Sequence, residues 1–303
     1  MIKLRLPDFV VIGAAKCGTT SLAAYLDAHP GVLMARPKEL RFFSHQWERG
    51  VDWYASRFDH ASPSDILGEA SPQYSQAPLV PDVPQRMASV IPEAKLVYMV
   101  RDPVDQMTSF YRHLVSKGRE AERSFDVAVR SNSLYLAVAS YGFQLERYLE
   151  HFGREQILVM DSARLRVNRK TALREILDFL GAEGDVPSVA QQTELNTAAD
   201  KLFLPRYLTG PRAVWRKAQV VTGKIPKRWR RSLRARVSRP APEAALHLGP
   251  DSAAWLRANL DNDLEQLKLH SSPNVAESIS DWRDHLDTLV RPLRPTQVGE
   301  AGS

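Results

Sequence analysis

One transition near the start of this chain limits its fold more than any other feature. Asp8-Phe-Val-Val-Ile-Gly13 is a short apolar run rich in β-branched residues, and Gly13-Ala-Ala-Lys-Cys-Gly-Thr-Thr-Ser21 follows it as a glycine-bearing turn. Leu22–His29 then reads as a helix, ended by Pro30-Gly31. A buried strand that passes through such a loop into a helix is a βα unit, and it turns the free N–H groups of the helix start toward an anion. The alternation returns downstream. Ile66–Ala70 and Lys95–Val100 read as strands, the second apolar enough for a sheet covered on both faces. Arg101-Asp102-Pro103 closes that strand; Asp102 suits a helix cap and Pro103 the first helical position, with the helix running to about Ser116. Leu134–Phe152 reads as one long amphipathic helix, Gln156–Met160 as a buried strand, and Lys170–Leu180 as a helix stopped by Gly181. The expectation is an α/β core over residues 1–200 with a central parallel sheet flanked by helices.

After that the pattern changes. Residues 201–290 are expected to form a mainly helical C-terminal extension packed on the same domain, with 291–303 as a disordered tail. Asp251–Leu269 places Trp255, Leu256, Leu260, Leu264 and Leu267 on one helix face, and Ile279–Leu289 reads as a last helix or turn. Residues 201–242 hold thirteen Lys and Arg and no acid, although the whole chain of 303 residues is only +6, so the rest of the molecule is net acidic. That distribution speaks against a nucleic-acid-binding protein. Trp215, Trp229, Leu233 and Val237 interleave with the cations there, so the segment is either a solvated insertion or a contact with an acceptor or membrane surface. The single cysteine, Cys17, forms no internal disulfide, and with the eight histidines it makes no CxxC or HxxxH spacing for structural zinc. Phe9–Ala15 is too short to span a bilayer. A cytoplasmic protein is expected, peripheral at a membrane if residues 201–242 rest on one.

The loop is not an ordinary triphosphate loop. In the frame G-x-x-x-x-G-K-[ST] the glycines fit as Gly13 and Gly18, but Thr19 stands where the lysine belongs and the one loop lysine is Lys16. The Lys95–Val100 strand ends in Arg101 and not in a metal-binding carboxylate. Cations and hydroxyls suit an anion bound without metal. Lys16-Cys-Gly-Thr-Thr-Ser21 resembles the 5′-phosphosulfate loop of sulfotransferases that use 3′-phosphoadenosine 5′-phosphosulfate (PAPS). Arg101-Asp-Pro-Val-Asp-Gln-Met-Thr-Ser109 resembles their 3′-phosphate motif. Lys38-Glu-Leu-Arg-Phe-Phe43, Gly50-Val-Asp-Trp-Tyr54 and Gly68-Glu-Ala-Ser-Pro-Gln-Tyr74 resemble segments of the bacterial and heparan-sulfate-type branch, in the same order. The resemblance covers about residues 8–182 and implies a P-loop-type sheet that binds PAPS.

It also implies roles. Lys16, Cys17, Gly18, Thr19, Thr20 and Ser21 would hold the 5′ end of PAPS, with Lys16 stabilising the charge that grows on the leaving phosphate. Arg101 and Ser109 would hold the 3′-phosphate. Glu39 is the preferred general base: the Phe42-Phe43 pair after it would anchor its loop, and partial burial is expected to raise its pKa. His113, one helical turn beyond Ser109, is the rival base, and His45 a further one. Glu69 and Ser71 are expected after a strand, at the ligand-facing edge. Relatives often carry lysine where Ala70 stands. Trp53 and Tyr54 either stack on an acceptor or pack with Phe58, and Lys201 or Arg206 could close over the nucleotide. The implied reaction moves a sulfuryl group from PAPS to a hydroxyl, or in second place an amine, of a carbohydrate, glycolipid or natural product, and releases 3′,5′-adenosine diphosphate. A kinase-like phosphotransferase and a non-catalytic PAPS- or anion-binding protein are the alternatives. The acceptor and the oligomeric state are not legible.

Overall fold

A computed structural model describes residues 5–187, 202–203, 239–240 and 246–290. The first βα unit forms as the sequence predicts: β1 (Phe9–Gly13) has every residue buried and leads through the glycine loop into α1 (Thr19–Asp27). Then come β2 (Val32–Met34), α2 (Phe42–His45), α3 (Gly50–Ala55), β3 (Ile66–Ala70), α4 (Val83–Val90), β4 (Lys95–Val100) and α5 (Pro103–Ser116). They are followed by α6 (Phe125–Ser131), α7 (Leu134–Ala139), α8 (Tyr141–Leu149), β5 (Ile157–Asp161), α9 (Arg164–Val167) and α10 (Arg169–Leu180). Gly181 ends α10 at φ 79°, the left-handed conformation that a C-terminal glycine supplies without strain. All five strands are parallel in the order β2-β3-β1-β4-β5.

This order fixes where a ligand can go. From β1 the chain moves outward to β2 and back to β3 on one side, then crosses to β4 and β5 on the other. Such a switch opens a crevice at the carboxyl ends of the central strands. Loops that follow β1, β2, β3 and β4 therefore share one edge. The sheet is held closely beside β1: a Cβ on Gly68 would lie 2.2 Å from the Phe9 ring, so only glycine lets that ring lie flat on β3.

The helix expected over Leu134–Phe152 is two helices, α7 and α8, broken at Ser140. The cause lies far away in the chain. The N–H groups of Gly142 and Phe143 donate to the Asp263 carboxylate at 3.0 and 2.8 Å, so a new helix start is capped from another element. Asp263 belongs to α11 (Pro250–Leu269), which buries Leu256, Leu260, Leu264 and Leu267 against the core. Trp255, expected on that face, is only half-buried. Each of those leucines contributes roughly 1.5–3 kcal/mol relative to exposure. Two helices complete the C-terminal part, α12 (Pro273–Ser278) and α13 (Trp282–Leu289), with Trp282 and Leu286 buried. Within 201–242 only a two-residue antiparallel pair is described, β6 (Leu202–Phe203) with β7 (Arg239–Pro240). The remaining expectations for the basic segment, including Lys201 and Arg206, and those for the tail at 291–303 lie outside the described residues. Among the described residues no helix is long and apolar enough to cross a membrane.

Candidate active site at the carboxyl edge of the sheet

The loop after β1 is pinned from beneath. The Ala14 N–H donates to Met99 O of β4 at 2.6 Å, the Cys17 N–H to Ala14 O at 3.1 Å, and Gln106 Nε2 of α5 to Ala15 O at 2.8 Å. Lys16 adopts φ 72° and Gly18 φ 79°. A left-handed lysine is an uncommon and costly conformation that the surrounding contacts must enforce. The residue is half-buried, and its ammonium makes no ion pair with any described residue. Gly18 directly precedes α1, and the N–H groups of that first turn face the loop. Thr19 is buried, Thr20 exposed and Ser21 half-buried. Cys17 turns its side chain into the core, with Sγ 3.6 Å from the Tyr141 hydroxyl. Burial pushes its thiol up to about 12, so it stays protonated and unreactive.

Arg101 leaves β4 at the neighbouring position. Asp102 caps α5 as expected, accepting the Asp105 N–H at 2.8 Å. Arg101 itself is paired: Nη2 and Nε donate to Asp105 Oδ2 at 2.6 and 3.1 Å. Gln106, Ser109 and His113 follow at helical spacings of three and four, so they share the α5 face that Gln106 directs at the loop. Ser109 is buried, and its hydroxyl bonds to no described residue; His113 is half-buried. The structure adds His285 of α13, whose Nδ1 lies 3.0 Å from Asp102 Oδ1. No local signal could have placed His285 here, because its partner stands 183 residues earlier in the chain.

Glu39 sits beyond β2 in a loop with φ 65° at Glu39 and 56° at Arg41. Its carboxylate accepts from Arg41 Nη2 at 2.8 Å, Gln73 Nε2 at 3.1 Å and Lys38 Nζ at 3.2 Å. Burial alone would raise its pKa, as the sequence reading expects. The donors from Arg41, Gln73 and Lys38 outweigh burial and hold it down at about 2, which corrects that expectation. Phe42 and Phe43 do anchor this loop. Both are fully buried, and Phe42 stacks on Tyr54 with ring centroids 4.3 Å apart.

Ser71 follows β3 at the carboxyl edge as expected, while Glu69 lies within the strand, a second correction; both side chains are fully buried. It accepts from the hydroxyls of Tyr54 at 2.6 Å, Ser71 at 2.5 Å and Tyr74 at 2.8 Å. Burial raises its pKa, and these donors oppose the rise. Ser71 and Tyr74 in turn accept the N–H groups of Arg41 at 3.0 Å and Phe43 at 3.3 Å. Glu69 thus holds the Glu39 loop through two hydroxyls. Tyr54 belongs to this network and cannot stack on an acceptor. Trp53 is half-buried under the guanidinium of Arg49 at 4.4 Å.

A parallel sheet of order β2-β3-β1-β4-β5, a glycine loop opening a helix after β1, and an arginine closing β4 define an anion-binding α/β protein of the P-loop class. Within that class, the chain belongs to the sulfotransferase domain family, whose model matches residues 6–201. It is 33% identical over 198 residues to bifunctional heparan sulfate N-deacetylase/N-sulfotransferase 3 of Mus musculus, covering 58% of this chain and 22% of that protein. It is 30% identical over 225 residues to bifunctional heparan sulfate N-deacetylase/N-sulfotransferase 1 of Caenorhabditis elegans, covering 69% of this chain and 25% of that protein. The chain therefore matches about a quarter or less of the length of these relatives. Among solved structures, a sulfotransferase from Alicyclobacillus acidocaldarius superposes with a TM-score of 0.61 at 26% identity, covering 90% of this chain and 99% of that one.

Proposed function

We propose that this sulfotransferase moves a sulfuryl group from PAPS to an amine or hydroxyl of a carbohydrate-class acceptor and releases 3′,5′-adenosine diphosphate. The observation that carries the reading is Lys16: a half-buried lysine whose ammonium makes no ion pair among the described residues, held in a left-handed loop beside the start of α1. The acceptor atom attacks sulfur while the bond from sulfur to the bridging phosphate oxygen breaks. Lys16 and the loop N–H groups stabilise the charge that collects on that oxygen. Thr19, Thr20 and Ser21 add donors at the helix start. Arg101 and Ser109 hold the 3′-phosphate. No divalent metal is required, because these groups meet both phosphates.

The proton of the acceptor goes to a base, and Glu39 takes that role in our reading. At a pKa of about 2 it is a weak base while Lys38 and Arg41 hold it. His113, on the α5 face shared with Ser109, is the alternative. The sequence alone ranks a hydroxyl acceptor first; the names of the curated relatives, which are N-sulfotransferases, favour an amine.

The test is a transfer assay with PAPS and paired oligosaccharides that differ only in a free or acetylated glucosamine amine. Sulfation that needs the free amine supports the amine reading, and equal sulfation of both supports a hydroxyl. Absence of transfer, together with stabilisation by ATP and magnesium but not by 3′,5′-adenosine diphosphate, would overturn the proposal in favour of a phosphotransferase. A bound nucleotide at one hundred times its Kd adds about 2.7 kcal/mol of stability, well within reach of a thermal-shift measurement.

A further inference from the structure

Asp105 occupies an unusual place. Its Oδ2 receives two donors of Arg101, Nη2 at 2.6 and Nε at 3.1 Å, while its Oδ1 lies 4.0 Å from Nε2 of His285. The carboxylate thus stands between a guanidinium from the turn that leads into its helix and an imidazole from α13. Arg101 is 18% exposed, against 37% for Asp105 and 35% for His285, so the arginine is the more enclosed of the two cationic partners. Asp102 completes the cluster by accepting from His285 Nδ1 and from the Asp105 N–H.

Asp105 holds two of the five N–H donors of the Arg101 guanidinium, both on one carboxylate oxygen. A phosphate must displace that carboxylate or share the fork with it, and two adjacent anions repel. Asp105 has an alternative partner, since its second oxygen already lies 4.0 Å from His285 Nε2. The neighbouring Asp102 carboxylate also favours the protonated imidazole, in which both ring nitrogens donate.

We propose that Asp105 is a stand-in anion that occupies Arg101 while the 3′-phosphate is absent, and that His285 receives the displaced carboxylate when the phosphate binds. The inference rests on the assignment of Arg101 to the 3′-phosphate and goes beyond it: affinity for that phosphate is set by an exchange between α5 and the C-terminal helix. Asp105 weakens binding, and His285 recovers part of the loss.

Calorimetric titration of the full chain with 3′,5′-adenosine diphosphate and with adenosine 5′-monophosphate, which lacks the 3′-phosphate, tests this. Asp105→Asn should tighten the diphosphate about two- to fivefold, the worth of removing one part-exposed competing ion pair, and leave the monophosphate unchanged. His285→Gln should weaken the diphosphate alone, and should do nothing further in the Asp105→Asn background, because the two side chains act as a pair. Asp105→Ala gives the same reading should the amide prove unstable. Arg101→Ala separates the two levels of argument. If it weakens the diphosphate while Asp105→Asn leaves it unchanged or weaker, the stand-in role is wrong and the phosphate site stands. If Arg101→Ala has no effect, the site itself is misplaced and the inference falls with it.

Discussion

Glu39 is the residue at which positioning and reactivity pull hardest against each other. Three donors fix its carboxylate in one place, and the same donors hold its pKa at about 2. A carboxyl group depressed in the folded state adds stability that is complete above its unfolded value of 4.5 and is lost as pH falls from there through about 2. Wild type should therefore exceed Glu39→Gln in stability at pH 7, by at most about 3 kcal/mol, and the gap should close by pH 2 in denaturant titrations. Turnover of Glu39→Gln should drop by about 10²–10⁴-fold with 3′,5′-adenosine diphosphate affinity kept. Near-normal turnover there, with collapse in His113→Asn, would move the base to α5. At this scale the sequence was informative where one short segment makes the group. Lys16 and Gly18 could be read from their loop. The direction of the Glu39 shift could not, because it depends on how the left-handed loop turns Arg41 back onto the carboxylate and on Gln73, which reaches it from the loop after β3.

Elements here are shaped by partners distant in sequence. Residues 134–152 carry an unbroken helical pattern, yet Asp263 draws off the N–H groups of Gly142 and Phe143 and starts a second helix. Gly142 permits the approach, since a Cβ there would lie 2.1 Å from the Asp263 carbonyl oxygen. Burial raises the Asp263 carboxyl to about 6, and the amide donors offset only part of that. A raised acid stabilises the fold fully below its unfolded value of 3.8, and the contribution is lost as pH rises through about 6. Relative to Asp263→Asn, wild type should lose up to about 3 kcal/mol between pH 4 and pH 7, read from denaturant midpoints at each pH. The β3 network offers a second test. Glu69→Gln places an amide donor among hydroxyl donors and should cost about 1–3 kcal/mol. Since Ser71 and Tyr74 carry the Glu39 loop, turnover should fall more than nucleotide affinity. The strand pattern of β3 was legible in sequence; the inward direction of Glu69 was not, because Tyr54 and Tyr74 come from segments on either side of the strand.

At the scale of the whole molecule, the parallel sheet and the crevice at its carboxyl edge follow from the alternation of apolar runs and helices, while the reach of the C-terminal helices does not. Leu260→Ala in α11 removes a fully buried side chain and should cost about 2–5 kcal/mol. If α11 and α13 dock as one unit, the same variant should also weaken 3′,5′-adenosine diphosphate binding, although α11 carries no proposed ligand residue. Unchanged affinity in the folded variant would show that α13 docks independently. The bond between His285 and Asp102 carries one more consequence, for synthesis on the ribosome. The loop, the arginine and the whole sheet are made long before α13, so a nascent chain can assemble its pleated core early. On the proposed assignment of Arg101 to the 3′-phosphate, His285 joins the cluster beside that arginine only after α13 has emerged, so full nucleotide affinity would be a late event in the life of each new chain.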